Sequence, residues 1–149
     1  MQISGRFAVA VHILTCIDYF QDSHNVTSEF VASSVNTNPV IIRQIISQLK
    51  ATGLVEVSRG KNGMKLSRPP ENITLYDVYV AVESVKGKLF RFHPNPNPKC
   101  VVGKNIHHAL GLYLDEIQES FEENLKAVKL SSIISRITDA SQHNQSHSI

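Results

Sequence analysis

The segment from Thr27 to Arg68 constrains the fold more than any other part of the chain. It spells a short helix, a tight turn, a second helix, and two short strands joined by a basic loop. Thr27-Ser28-Glu29 opens with capping residues, and Phe30, Val31 and Val35 fall on or near one side at helical spacing. Asn36-Thr37-Asn38 interrupts that helix. Asn38 can cap the next one, and Pro39 suits a first helical position, where a missing N–H costs nothing. Ile42, Ile45, Ile46 and Leu49 then form an apolar stripe, and Gly53 suits the left-handed residue that ends a helix. Leu54 to Ser58 alternates like a half-buried strand, Arg59-Gly60-Lys61-Asn62-Gly63 is rich in turn residues, and Met64-Lys65-Leu66 can return as the partner strand.

The second helix matters for the face opposite its isoleucines. Arg43, Gln44, Ser47 and Gln48 share that face, with Asn38 and Val40 at its N-terminal end. Arg and Gln can pair with base edges in bidentate fashion, a valine methyl can touch a thymine methyl, and a helix fits the major groove of B-form DNA. From Val40 to Pro69 the charges are Arg43, Lys50, Arg59, Lys61, Lys65 and Arg68 against one acid, Glu56. Such a surface seeks phosphates, which supply affinity without reading sequence. The candidate DNA-binding residues are Arg6, Thr27, Ser28, Asn38, Val40, Arg43, Gln44, Ser47, Arg59, Lys61, Asn62 and Lys65. An ordinary surface helix beside a solvated hairpin would show a similar pattern.

The rest of the chain supports a single domain with an appendage. Its 149 residues are 42% apolar, which suits a globular core, and a net charge of +2 implies no nucleic acid by itself. Ile3 to Phe20 reads as a first helix with Phe7, Ala10, Val11, Leu14 and Ile17 inward. Arg6 in its first turn opposes the helix dipole, a cost a phosphate would offset. His12 reads as a packing or surface residue and Cys16 as buried packing. No charged leader with a cleavage signal opens the chain and no apolar run has the length of a membrane span, so a cytoplasmic location without membrane contact is expected. Pro69-Pro70 stops the second strand. Thr74 caps a helix expected to run to Val85, with Asp77 at the reciprocal capping position.

Residues 1–86 thus read as the helix-turn-helix domain and 87–98 as a Pro/Asn-rich linker, a stiff spacer of alternating prolines. A long helix follows over Lys99 to Val128, and a short one over Ser131 to Thr138, making 99–138 the third unit. Residues 139–149 read as a polar, disordered tail. Val102, Ile106, Leu110, Tyr113, Ile117, Phe121, Leu125 and Val128 recur at three- and four-residue steps. A helix of about 45 Å at 1.5 Å per residue overhangs a compact domain. An antiparallel copy from a second subunit is the simplest cover for its apolar face; folding back over its own domain is the alternative.

The run from Arg59-Gly60-Lys61-Asn62-Gly63 through Leu66-Ser67-Arg68-Pro69-Pro70, Ile73-Thr74 and Asp77-Val78 follows the pattern R-G-x-x-G-x-x-L-x-R-P-P-x-x-I-T-x-x-D-V. It resembles the Rrf2 (Rrf-two) family of bacterial winged-helix transcription regulators. Leu49-Lys50-Ala51-Thr52-Gly53-Leu54-Val55 is similar to that family's recognition-helix exit, and Ser4-Gly5-Arg6-Phe7-Ala8 to its start. The resemblance runs through Val128. It implies a mainly α fold with a small β-hairpin, a winged helix-turn-helix plus a long dimerisation helix. It also implies a homodimer on double-stranded DNA with a two-fold operator, the helix from Asn38 in the major groove and the Arg59–Asn62 wing at the minor groove or backbone.

The chain departs from the family pattern where cluster-bearing members place three cysteines. Only Cys100 is present there, so no cofactor and no metal are expected; clusters are held mainly by thiolates. Cys100 and His107 on one helix stand about 10 Å apart along the axis, too far to share an ion. Cys100 lies beside Lys99 at a helix N-terminus, a setting that favours the thiolate, and its surroundings resemble a cluster-free branch of the family. It is the candidate redox or electrophile sensor, with an inert small residue as the competing reading. The expected function is a dimeric transcriptional repressor. The alternative is a protein-interaction module on a winged-helix scaffold that no longer binds DNA. No nucleophile–base spacing, phosphate loop or paired carboxylate marks an enzyme.

Overall fold

The computed structural model describes residues 5–58, 60, 63–83 and 88–145. Their order is α1 (Gly5–Phe20), α2 (Ser28–Val35), α3 (Pro39–Ala51), β1 (Val55–Val57), β2 (Met64–Leu66), a 3₁₀ turn (Pro70–Asn72), α4 (Leu75–Val82), α5 (Val101–Ala127) and α6 (Leu130–Gln145). The fold is mainly helical, with one two-stranded antiparallel sheet.

Helix α1 is the centre. Ala10, Ile13, Leu14 and Ile17 are fully buried, and α2, α3, α4, α6 and β2 all pack on it. The capping expectations hold. Thr27 Oγ1 accepts the Phe30 N–H at 3.1 Å, and Asn38 Oδ1 accepts the Val40 N–H at 2.9 Å. The stripe Ile42, Ile45, Ile46 and Leu49 is buried against α1 and its neighbours. Gly53, at φ 76°, ends α3: its N–H donates to Lys50 O at 3.1 Å and the Leu54 N–H to Leu49 O at 2.9 Å. Those two bonds are a Schellman motif, and Leu49 and Leu54 are both buried, as its apolar contact requires.

The hairpin pairs Val55 with Leu66, Glu56 with Lys65 and Val57 with Met64. It is shorter than expected and does not alternate as expected. Leu54 and Val55 are both buried because Leu54 completes the α3 cap, whereas Val57 is 44% exposed where the strand runs past the core. The Met64 N–H donates to Val26 O at 2.9 Å, which ties the base of the wing to the loop before α2.

Thr74 and Asp77 form the reciprocal box, with Asp77 N–H on Thr74 Oγ1 at 3.2 Å and Thr74 N–H on Asp77 Oδ2 at 2.9 Å. Helix α4 stops at Val82, one turn before the expected end. Glu83 is extended (φ −86°, ψ 110°), in a valine-rich stretch whose branched side chains favour helix weakly. Val85, Lys86 and Gly87 lie outside the described residues.

The linker is not a free spacer. The Leu89 N–H donates to Gln118 Oε1 at 2.9 Å, the Phe92 ring sits 4.6 Å from the His107 ring, and Asn97 packs against Gly103. It runs antiparallel along the first two-thirds of α5. Leu89 to Asn97 spans about 25 Å at polyproline rise, and Gly103 to Gln118 about 22 Å at helical rise, so the lengths match. At the far end of α5, the Leu75 N–H donates to Val128 O at 2.9 Å and the Leu130 N–H to Ile73 O at 2.8 Å. Helix α6 starts there and continues to Gln145, well beyond Thr138. The docking of Leu130 and Ile134 on the core nucleates a helix that its polar second half could not start alone.

Candidate DNA-binding face

The outer face of α3 is open. Val40 is 52% and Ile41 41% exposed, and Arg43, Gln44 and Ser47 are exposed beside them. Amphipathic spacing alone produces this: with Ile42, Ile45, Ile46 and Leu49 buried, the residues between them must face out. Asn38 stands at the N-terminal end, its Oδ1 committed to the cap. A groove of about 450 Å³ separates α3 from the start of α2 and the wing, and Thr27, Ser28, Arg43, Ser47, Lys50 and Val57 line it. Four of the expected contacts therefore share one concavity. Thr27 reaches it with its hydroxyl already engaged as a cap.

Arg43 does not stand alone. Its Nη2 donates to Glu29 Oε1 at 2.6 Å, with the two side chains 54% and 65% exposed. The Arg43 guanidinium, helped by the Ser28 hydroxyl 3.1 Å away, holds the Glu29 carboxyl below its ordinary value. Sequence reasoning missed Glu29. An acid two residues past an N-cap reads as a partner of the helix dipole, and only the α2–α3 crossing aims it at the outer face of α3.

Arg6 lies at the opposite edge. Its Nη2 donates to Gln48 Oε1 at 2.6 Å, so the first turn of α1 flanks the C-terminal half of α3. Lys65 is exposed on β2. Arg59, Lys61 and Asn62 lie outside the described residues. Arg68 leaves the phosphate-seeking set: its Nε donates to Asn72 O at 2.9 Å and its Nη2 pairs with Asp77 Oδ2 at 3.1 Å. It clamps the 3₁₀ turn to the α4 capping box.

The second region of interest is the head of α5. Cys100 is exposed and occupies the N-cap position. Its sulfur makes no capping hydrogen bond, yet the amides of Gly103 and Val102 in the first turn hold the thiol below its ordinary value. His93 comes to 5.1 Å from His107, ring to ring, and His107 Nε2 is buried with no hydrogen-bond partner. Among the described residues no group of three or more His, Cys, Asp or Glu side chains could hold a metal ion. Among them, too, no helix is long and apolar enough to cross a membrane.

This arrangement has known counterparts. The pattern of the Rrf2 family, described as an iron-dependent transcriptional regulator, matches residues 3–136. YwnA of Bacillus subtilis (strain 168), assigned by name to the helix-turn-helix-type transcriptional regulators, is 39% identical over 135 residues, covering 91% of this chain and 98% of its own. The structure of T. potens IscR superposes with a TM-score of 0.71 at 18% identity, covering 94% of this chain and 90% of the other. That of CymR, the global cysteine regulator of B. subtilis, does so at 0.67 and 20% identity, covering 91% and 97%. The chain belongs to the Rrf2 family: it is a helix-turn-helix-type, DNA-binding transcriptional regulator with that family's winged-helix fold and long C-terminal helix, and it is not an enzyme.

Proposed function

We propose that this regulator is a homodimeric cytoplasmic repressor that presents two copies of α3 to a two-fold operator, with Val40, Arg43, Gln44 and Ser47 reading base edges. The open α3 face carries this reading, because a helix that fits the major groove must keep those side chains exposed, and Arg43 must exchange its surface partner Glu29 for DNA. Asn38 and Arg6 flank it, Thr27 and Ser28 border the groove, and Arg59, Lys61, Asn62 and Lys65 serve the phosphates.

The dimer is supported by α5. None of its residues is buried, and Val102 (67%), Tyr113 (68%) and Ile117 (48%) stay exposed along one side. A second α5 covers that face and fixes the distance between the two recognition helices, which must match half-sites about one helical turn, roughly 34–36 Å, apart or a multiple of it.

The iron implied by the family description does not fit the donors present. Fe–S clusters are held mainly by thiolates, and this chain has Cys16 buried on α1 and Cys100 at the head of α5. The protein belongs on this reading to a cluster-free branch, with Cys100 receiving an oxidant or electrophile signal where the linker meets α5. Sequencing the DNA fragments retained by the purified protein, with and without oxidant, identifies the operator and tests Cys100 together. The Arg43→Ala variant then loses affinity for that operator; unchanged affinity places the recognition surface elsewhere.

A further inference from the structure

Between α1, the C-terminal end of α2 and the middle of α6 lies a cavity of about 290 Å³ that DNA binding does not use. His12, Cys16, Tyr19 and Phe20 of α1 form one wall, and the exposed Ser34 and Ile137 line the other side of its open mouth. Cys16 is 4% exposed and lines the cavity together with Ser34, whose Oγ lies 2.9 Å from His12 Nε2. Thiol, hydroxyl and imidazole thus share one cavity, and with Nε2 of His12 unprotonated the Ser34 hydroxyl can hand a proton to it. The described residues lining the cavity include no carboxylate, lysine or arginine. Burial pushes the Cys16 thiol up and the Ser34 hydroxyl opposes it, so the thiol needs a proton acceptor beside it to become a nucleophile. The volume matches the small end of ligand cavities, about 300 Å³.

We propose that this cavity is an effector site that takes a small, uncharged, conjugated carbonyl compound and binds it covalently at Cys16. Sγ bonds to the β-carbon as the C=C bond opens. The thiol proton passes through Ser34 to His12 and from there to the α-carbon, so nothing is oxidised and no group leaves. The uncharged lining admits neutral molecules, and the rings of Tyr19 and Phe20 offer faces for a flat one. An adduct crowds Ser34 near the end of α2, and the start of the same helix carries Glu29, the partner of Arg43. The cavity is thereby connected to the DNA-reading face.

The test uses the Cys100→Ser chain, in which Cys16 is the single thiol, with cyclohex-2-enone as the neutral probe and iodoacetate as the charged one. Intact-mass kinetics are expected to show an enone adduct whose rate saturates with concentration, and slow labelling by iodoacetate. The Ser34→Ala variant, with unchanged melting temperature, is expected to slow enone addition by about a hundredfold, the usual worth of a positioned proton acceptor. The adduct is expected to weaken binding to the selected DNA by about tenfold, an ordinary coupling between sites. A rate linear in enone, equal rates with and without Ser34, or an adduct that leaves DNA affinity intact overturns the proposal. If the unlabelled protein retains no DNA, the recognition-face reading fails instead, and the labelling kinetics still decide the site.

Discussion

Replacing Gly63 isolates how the wing is held against the recognition helix. Gly63 sits at φ 58°, and a Cβ added there meets Asn25 Oδ1 at 2.5 Å, Val26 O at 2.7 Å and Val26 N at 2.8 Å. An L-residue in that conformation costs about 1–2 kcal/mol from its own backbone. The close atoms are mostly main chain, so the strand must move away from Val26. That lengthens the Met64 N–H to Val26 O bond, now 2.9 Å, whose net worth is about 1 kcal/mol. Gly63→Ala is therefore expected to lose about 2–3 kcal/mol, a fall in melting temperature of about 4–12 °C for a chain of this size. Gly63→Asn separates the two causes. Asn tolerates the left-handed region, so backbone strain alone predicts recovery, whereas the collision with Val26 predicts none. Thermal unfolding of the three proteins, with DNA titration in parallel, reads the result. Asn matching Gly in stability refutes the argument that contact with Val26, and not φ, requires the glycine.

Three further outcomes follow from the same structure. Glu29→Gln frees Arg43 for phosphate, so binding to random DNA should strengthen and its salt slope steepen by about 0.9, one more counterion released; an unchanged slope means the pair at 2.6 Å does not persist in solution. Alkylation of Cys100 by iodoacetamide, followed by mass spectrometry across pH, should set in at lower pH than for an ordinary thiol, with Cys16 displaced the other way. Coincident profiles contradict the assigned causes, first-turn amides at Cys100 and burial at Cys16. Tyr113→Asp with Ile117→Asp should give a monomer in sedimentation that binds operator far more weakly than the parent, and a dimer that survives both changes moves the interface off this face of α5.

What could be read from sequence was local. Thr27, Asn38 and the Thr74–Asp77 box act within three residues of themselves, and the α3 stripe buries itself by periodicity. Contacts that depend on how elements cross were hidden. Glu29 and Arg43 are fourteen residues apart and meet only because α2 and α3 cross at one angle. Arg68 counted as a free cation until the fold brought Asp77 to it. The extent of α6 was misjudged because its second half is polar, and nothing local announces that Leu130 is fully buried at its start.

The linker teaches a different lesson. Proline restricts its shape but says nothing of what lies beneath. The seat was nonetheless written in α5: Gly103, His107 and Gly111 recur every four residues, so they line one stripe. Asn97 closes over Gly103, Phe92 stacks on His107, and a Cβ on Gly111 would touch the Phe92 ring at 3.4 Å. Gly103 has to be small because the linker backbone lies on it, whereas a Cβ at Gly111 would make only ordinary contact. The apolar positions Val102, Ile106, Leu110, Tyr113 and Ile117 run beside that stripe, so one helix carries the linker on one face and leaves an apolar second face largely exposed. Cys100 sits where the linker turns into α5, its N–H on Asn97 O at 3.2 Å. A modification there acts on the seat first and on the neighbouring apolar face through it. In the proposed dimer, that order gives a thiol at the helix head a physical route to the spacing of the two α3 helices.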